Sequence, residues 1–430
     1  MNPGLFENIE LHPAPTHSLG RKDHLTFRGN VASGRHGWLR LTPAYSLKLV
    51  QTLLGELGPA DRVLEPFSGT GTTPLACAAA GVPCDGVDIN PFLVWLAGVK
   101  LAHFADSTGA AALEAAHQIE QQAQNPKTAA WRPAIHQLDK WWDTPTLNTL
   151  ATLLEGIKSA QAELPPGTAD LLRVAFCRVM IATANVSFGH QSMSFNKQAP
   201  GHAAGLLVET PSQCAHRVAH AFLAAAKDVV AGTFIGAPLV DASVVLGDSR
   251  KLERIFAGKK FTAVITSPPY PNRMSYIREL RPYMYWLGFL SDGRTAGELD
   301  WKAIGGTWGC ATSMLNAWTP NPDAQIPFPE FNSIVAAIGR GHALLGRYVH
   351  RYFEDIKTHL LSLREVLAPQ ARCRYIVGNS KFYDTILPVE QIYAALFKGA
   401  GFANIHIETI RKRTSKKELY EFIVHAQMPA

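Results

Sequence analysis

The chain has 430 residues, of which 47% are hydrophobic and 18% charged, the balance of an ordinary soluble globular protein rather than a fibrous or disordered one. Net charge is a modest +6, with no run of some 18 apolar residues that would suggest a transmembrane helix. The start, Met1-Asn-Pro-Gly-Leu-Phe-Glu, has neither the basic beginning nor the apolar core of a signal peptide, so a cytoplasmic protein with no membrane partner is expected.

Residues 1–34 are polar, with scattered His, Pro and Gly, and are expected to form an N-terminal arm. Residues 44–57 repeat apolar side chains at helical spacing through Tyr45, Leu47, Leu49, Val50, Leu53, Leu54 and Leu57. Arg62–Leu64 reads as a short buried strand, Phe67-Ser68-Gly69-Thr70-Gly71 as a tight glycine loop, and Thr72–Ala80 as a helix. Glycine lets a backbone pass close to a ligand where a Cβ would clash. The dinucleotide fingerprint needs Gly or Ala three positions after the second glycine. That position holds Pro74, which disfavours a dinucleotide. Cys84–Asp88 reads as a second strand ending in an acid, 17 residues after Gly71, suited to the hydroxyls of a ribose.

From about 100 to 240 the pattern changes to Ala-, Leu- and Gln-rich stretches punctuated by proline, expected to form an inserted helical domain. At its centre, Asn185–Lys197 is polar and aromatic; contact with nucleic acid and an ordinary helix–helix loop are both open there. The six cysteines, Cys77, Cys84, Cys177, Cys214, Cys310 and Cys373, form no Cys-x-x-Cys pair, so they read as buried free thiols and no metal is expected.

The most informative stretch follows the apolar strand Phe261–Ile265 and reads Thr266-Ser267-Pro268-Pro269-Tyr270. Two prolines remove backbone donors and stiffen the turn. The Ser267 hydroxyl and the Pro268 carbonyl can both accept from one exocyclic NH2 group, while Tyr270 offers a face for a planar base. Arg273, Tyr276, Arg278 and Arg281 follow, a basic and aromatic mixture suited to a nucleic-acid strand. Residues 291–335 show little periodicity and are expected to be a long loop, functional or disordered. Residues 346–430 carry 13 Lys and Arg against 8 Asp and Glu, with Arg411, Lys412, Arg413, Lys416 and Lys417 close together. Such a cluster suits phosphates, and a solvated hairpin tip is equally open.

Taken together, these motifs resemble the amino-specific DNA methyltransferases that use S-adenosylmethionine, in particular the cytosine-N4 branch, over roughly 30–99 and 241–430. The resemblance implies an α/β, Rossmann-like, doubly wound class I methyltransferase sheet with an inserted helical domain. It implies a discontinuous catalytic domain (35–99 and 241–430) around the 100–240 insertion. Glu65, Phe67, Ser68, Gly69, Thr70, Gly71 and Thr72 would form the cofactor loop, Asp88-Ile89-Asn90 the ribose-binding strand end, and Asp248-Ser249 the adenine loop. His36 and Pro43 fall in the segment that would line the methionine end. Ser267, Pro268, Pro269 and Tyr270 would be catalytic, and Ser at the first position is typical of cytosine-N4 enzymes. Methyl transfer from a sulfonium needs no strong base, so His190 is given no catalytic role. Double-stranded DNA is the implied partner, gripped by Arg273, Tyr276, Arg278, Arg281, Arg411, Arg413 and Lys416, and a separately encoded restriction nuclease is a candidate second partner. No recognition domain is expected after the final hairpin, so base reading falls to 100–240 and 271–335. An adenine-N6 enzyme, an RNA guanine-N2 enzyme and a non-catalytic cofactor-binding protein are the alternatives. Ser267 argues against the first, and the absence of a separate RNA module argues against the second. The intact Gly69, Gly71, Asp88 and Ser267 set argues against the third.

Overall fold

The computed structural model describes residues 27–30, 33–39, 41, 45–126, 131–187, 193–196, 209–307, 309–322, 324–413 and 418–430. The chain divides into two compact units.

The sheet unit comprises Leu49–Gly98, Pro238–Arg278 and Arg294–Ala430. Among the described residues its main sheet has seven strands, β1 (Val63–Glu65), β2 (Cys84–Asp88), β3 (Ala242–Leu246), β4 (Phe261–Thr266), β5 (Leu367–Gly378), β6 (Ala403–Lys412) and β7 (Tyr420–Gln427). They lie in the order β6-β7-β5-β4-β1-β2-β3. Five strands run parallel from β3 to β5, and β7 is antiparallel to both β5 and β6. Parallel strands covered on both faces are apolar throughout. Accordingly β1 is wholly buried and β4 nearly so. The architecture is a Rossmann-like, doubly wound α/β sheet. Its open sheet reverses strand order between β1 and β4, and ligands of such sheets bind beyond the strand ends at that point. The glycine loop follows β1 and the Pro-Pro turn follows β4.

Helices α1 (Leu47–Leu54), α2 (Thr72–Ala79) and α3 (Pro91–Leu101) follow in the first third of the chain. The helical unit comprises Met1–Lys48, Val99–Ala237 and Glu279–Gly293. Its bundle is α4 (Asp106–Ala123), α5 (Thr144–Ala160), α6 (Thr168–Ala182) and α7 (Pro211–Ala231). The caps that proline punctuation hints at are present. Asp143 accepts from the Thr146 N–H at 2.9 Å ahead of α5, and Thr210 and Gln213 form a reciprocal box ahead of α7. Trp141, Trp142 and Trp286 pack together with Phe176 at the core of this unit. Residues 35–48, expected in the catalytic domain, group with the helices instead. Arg35 is the reason: its buried guanidinium donates to the carbonyls of Thr233, Lys100 and Ala102.

The stretch after the turn also departs from expectation. The long loop expected over 291–335 contains helices. After α8 (Leu252–Ile255) and α9 (Tyr276–Trp286) come α10 (Gly293–Lys302), α11 (Cys310–Ala317) and α12 (Phe331–Gly341). The first two are short, and Gly305, Gly306 and Gly309 between them break the apolar period that a longer helix would show. Next come α13 (Ala343–Glu365) and α14 (Val389–Gly399). Cys77, Cys84, Cys177, Cys214 and Cys373 are buried free thiols, and Cys310 is a half-buried one. No helix among the described residues is long and apolar enough to cross a membrane.

Candidate active site

Glu65 ends β1 and is fully buried. One carboxylate oxygen accepts from the Phe67 N–H at 3.0 Å and from the Thr266 hydroxyl; the other accepts from the Thr73 hydroxyl at 2.8 Å. Glu65, expected at the cofactor, is therefore a peg. It ties the glycine loop, the first turn of α2 and the end of β4 to one another.

The loop itself is built for close approach. Gly69 and Gly71 take left-handed φ of 52° and 78°. A Cβ on Gly71 would come within 2.9 Å of the Ala97 Cβ, whereas one on Gly69 would meet nothing nearer than the Phe67 carbonyl at 4.0 Å. The Ser68 N–H bonds the Val87 carbonyl at 3.0 Å, which sets the loop against β2. Its hydroxyl is buried with no hydrogen-bond partner among the described residues. A half-open glycine backbone beside an orphaned hydroxyl fits a cofactor at this place. Thr70 and Thr72 are buried, their hydroxyls 3.4 Å apart.

Asp88 ends β2 and accepts from the Gly69 and Asn90 N–H groups, both at 2.8 Å. Burial raises its carboxyl to about 6, against the lowering by backbone donors of Asn90, Gly69 and Ile89. The expected ribose acid thus sits against the expected glycine loop, and its orientation is fixed by the backbone of both.

The expected adenine loop is arranged differently. The Asp248 carboxylate is taken up by Arg250, through the backbone N–H at 3.0 Å and the guanidinium at 2.8–3.2 Å, and Arg250 also bonds Asp355 at 2.5 Å. Burial raises the Asp248 carboxyl, but the Arg250 bonds and charge outweigh it and hold the group below its ordinary value. Asp248 therefore fixes its own turn. The Ser249 carbonyl faces His359 Nδ1 at 2.9 Å, and His359 Nε2 lies 2.7 Å from the Tyr375 hydroxyl. Burial pushes His359 down to about 4, so the ring is neutral near pH 7. Its Nδ1 carries the proton toward the carbonyl, and Nε2 accepts from Tyr375. The Phe67 ring meets His359 edge-on at 4.7 Å.

In the Pro-Pro turn, Ser267 is half-exposed and Pro268 buried. The Tyr270 hydroxyl donates to Glu421 at 3.1 Å, and the Ser267 hydroxyl bonds it as well. Burial and the Glu421 carboxylate push the Tyr270 phenol well up, so it keeps its proton. The ring packs against bare backbone: a Cβ on Gly378 would come within 3.0 Å of it. The Pro269 carbonyl accepts from the Tyr352 hydroxyl at 2.7 Å, and the Tyr270 carbonyl from the Asn272 N–H at 2.8 Å. Among the described residues the Pro268 carbonyl has no hydrogen-bond partner.

The expected DNA-binding residues separate. Arg273 and Arg278 are exposed, and Tyr276 is hydrogen-bonded to the Tyr270 backbone. Arg411 is paired with Glu421 at 2.7 Å, and Arg413 lies 5.3 Å from the Tyr270 ring centre while donating to the Asn379 carbonyl. Both are thus structural parts of the turn's surroundings, because Glu421 and Tyr270 offer them an acceptor and a ring. Arg281 belongs to the helical unit, over Trp141 at 5.1 Å. His36 belongs there too; burial and then Lys100 push its imidazole down to about 3. Pro43, His190 and Lys416 lie outside the described residues.

Sequence reasoning missed Glu421, Tyr352, Thr266 and Gly378. Only Gly378 carries a signal, a glycine at a strand end where close approach of another group is expected. The tyrosine and the acid read as core and surface of an ordinary helix and strand.

No protein-family profile matches the chain. Locally it is similar to type II methyltransferases. It is 36% identical over 76 residues to M.AvaI of Nostoc sp., a match covering 17% of this chain and 16% of that one. It is 36% identical over 78 residues to M.BsoBI of Geobacillus stearothermophilus, covering 18% and 15%. The chain thus aligns with less than a fifth of the length of these curated relatives. Among solved structures, the rRNA methyltransferase aviRa of Streptomyces viridochromogenes is 12% identical with a TM-score of 0.31, over 96% of each chain.

Proposed function

We propose that the chain transfers the methyl group of S-adenosylmethionine to the exocyclic N4 amine of a cytosine flipped out of duplex DNA. The observation that carries the reading is the Glu65 peg, which joins the glycine loop to the strand end that launches Ser267-Pro268-Pro269-Tyr270. A cofactor loop and an amine-accepting turn are thereby held by one carboxylate. The local similarity to type II methyltransferases supports it, and a restriction–modification setting with a separate nuclease is part of the proposal.

S-adenosylmethionine, when bound, supplies an electrophilic methyl. Gly69 and Gly71 would let the backbone approach it, and Asp88 would accept from its ribose. The Ser267 hydroxyl and the Pro268 carbonyl would each accept one N–H of the amine, which turns the nitrogen lone pair outward. Tyr270 would stack on the ring. Extruding the base costs a few kcal/mol, about what stacking on one aromatic side chain returns. The amine proton leaves after the carbon–nitrogen bond forms, so alignment rather than a base supplies most of the rate. Incubation with cofactor and mixed-sequence DNA followed by nucleoside mass spectrometry tests the reading. N4-methylcytosine is expected; N6-methyladenine alone would move the assignment to adenine, and no methylated nucleoside would end it.

Two further results are expected. The ionised Asp88 is the better acceptor for ribose hydroxyls. Its carboxyl titrates near 6, so cofactor affinity should climb as pH rises from 5 to 7 and level off above. Calorimetry at several pH values should show this slope in the parent and lose it in Asp88→Asn. A parent curve that is flat from pH 5 to 7 would remove Asp88 from the ribose. On the DNA side, Arg273 and Arg278 are exposed, so each phosphate contact they make should contribute about −0.9 to the slope of log K against log salt. Arg273→Gln with Arg278→Gln should flatten that slope without changing which base is modified. An unchanged slope would take both residues out of the interface.

A further inference from the structure

Helix α13 presents two tyrosines one turn apart to the Pro-Pro turn. The Tyr348 hydroxyl accepts from the Arg273 N–H at 3.2 Å, just beyond the turn. The Tyr352 hydroxyl donates to the Pro269 carbonyl at 2.7 Å. Spacing of four residues puts both on one face of the helix. Tyr352 and Tyr393, on α14, are 1% and 0% exposed, and their hydroxyls are 2.8 Å apart. Proton counting orders this pair. Tyr352 has one proton and gives it to the carbonyl, so Tyr393 must donate to the Tyr352 oxygen. A phenol that accepts one hydrogen bond is a stronger donor in the next, so Tyr393 strengthens the grip of Tyr352 on the turn.

The consequence concerns which acceptor an amine would find. Three successive carbonyls lie in the turn. Tyr352 takes that of Pro269 and the Asn272 N–H takes that of Tyr270, while that of Pro268 has no partner among the described residues. With the Pro269 oxygen free, an amine would have a second backbone acceptor one residue along, competing with that of Pro268. We infer that Tyr352, backed by Tyr393, is a positioning residue of the methyl-transfer site: it withdraws the Pro269 carbonyl and fixes the turn so that the Pro268 carbonyl and the Ser267 hydroxyl are the pair that holds the target amine. The inference rests on the methyl-transfer reading. Neither tyrosine touches the substrate in it. Their effect is on how often the amine is held correctly, not on how tightly DNA or cofactor binds.

The test compares parent, Tyr352→Phe and Tyr393→Phe for single-turnover methylation rate, DNA KM, cofactor Kd by calorimetry, and Tm. Tyr352→Phe is expected to slow methylation about tenfold, the scale of one lost hydrogen bond, with DNA KM and cofactor Kd within about twofold of the parent. Tyr393→Phe is expected to give the same pattern at about threefold, because the bond to the turn is weakened rather than lost. A merely structural role would lower Tm and raise KM and Kd together with the rate loss, and that pattern overturns the inference. So does a Tyr352→Phe protein that methylates at the parental rate, which would leave the methyl-transfer reading standing. A parent that methylates no base overturns that reading and this inference with it.

Discussion

Ser267→Ala is expected to slow methyl transfer by a factor on the order of 10², the scale seen when one preorganised hydrogen-bonding group is removed from a reacting centre. Cofactor Kd should stay within about twofold, because the hydroxyl would act on the amine and not on the cofactor. Tyr270→Ala should lose as much in rate and also raise the DNA KM, since the stacked base loses about 1–3 kcal/mol. Tyr270→Phe separates the two roles. It keeps the ring and removes the hydroxyl's bonds to Glu421 and Ser267, so KM should hold while the rate falls modestly. Gly378→Ala offers an approach from outside the motif. Its methyl would sit 3.0 Å from the Tyr270 ring and 2.7 Å from the Arg413 guanidinium, so the ring must shift. A rate loss without a change in cofactor affinity is expected there too. Single-turnover assays with calorimetry decide the matter. If Ser267→Ala and Tyr270→Ala both turn over at the parental rate, the amine is not held at this turn.

The parts of the fold that were legible in the sequence are those whose pattern is local. β2 was expected over Cys84–Asp88 and is found there. The glycine loop was legible because φ above zero is a demand that glycine answers in one residue. What the sequence hid is pairing at long range. Glu65 reads as the acid after a strand, and nothing local says that it meets Thr266, 201 residues on. Asp248 looked available because an acid at a strand end usually is; Arg250, two residues later, claims it. Arg411 and Arg413 looked like phosphate-binding residues because a cluster of cations carries no mark of its partners. Glu421, ten residues on in the next strand, is visible only when the hairpin is folded. In the same way 35–48 looked continuous with the catalytic domain, yet Arg35 reaches carbonyls at 100, 102 and 233. Each miss is a polar side chain whose partner lies far along the chain, or, for Asp248 and Glu421, a charge whose alternative partner was closer.

Glu65→Ala should therefore be the most damaging single change outside the turn. It removes the acceptor for the Phe67 N–H, the Thr73 hydroxyl and the Thr266 hydroxyl at once, in a place with no exposure to water. A buried donor without a partner costs about 1–3 kcal/mol, and the two hydroxyls can rotate while the backbone N–H cannot. A loss of about 3 kcal/mol or more is expected, a large part of the roughly 5–15 kcal/mol that holds a domain together. Glu65→Gln is the informative partner. Its carbonyl can keep the Phe67 N–H, and its NH2 group can donate to a threonine hydroxyl that reverses its role, so about 1 kcal/mol should suffice. The two variants must also differ in function. With alanine the glycine loop and the Ser267 turn lose their common anchor, so cofactor affinity and methylation rate should fall together; with glutamine both should be largely kept. Urea unfolding, calorimetry and single-turnover assays on the three proteins measure these effects. Equal midpoints for parent and Glu65→Ala would mean that the carboxylate is not the peg, and the coupling of loop to turn would have to come from the strands alone. That alternative is weak on geometry. β1 and β4 pair with each other at only Val63 with Ala263 and Leu64 with Val264, so Glu65 and Thr266, paired to β2 and β5 instead, lie beyond the ladder that the two strands share. Joining two strand ends beyond their shared ladder takes a side chain that reaches both, and Glu65 does so through one oxygen that accepts from the Phe67 N–H and the Thr266 hydroxyl together.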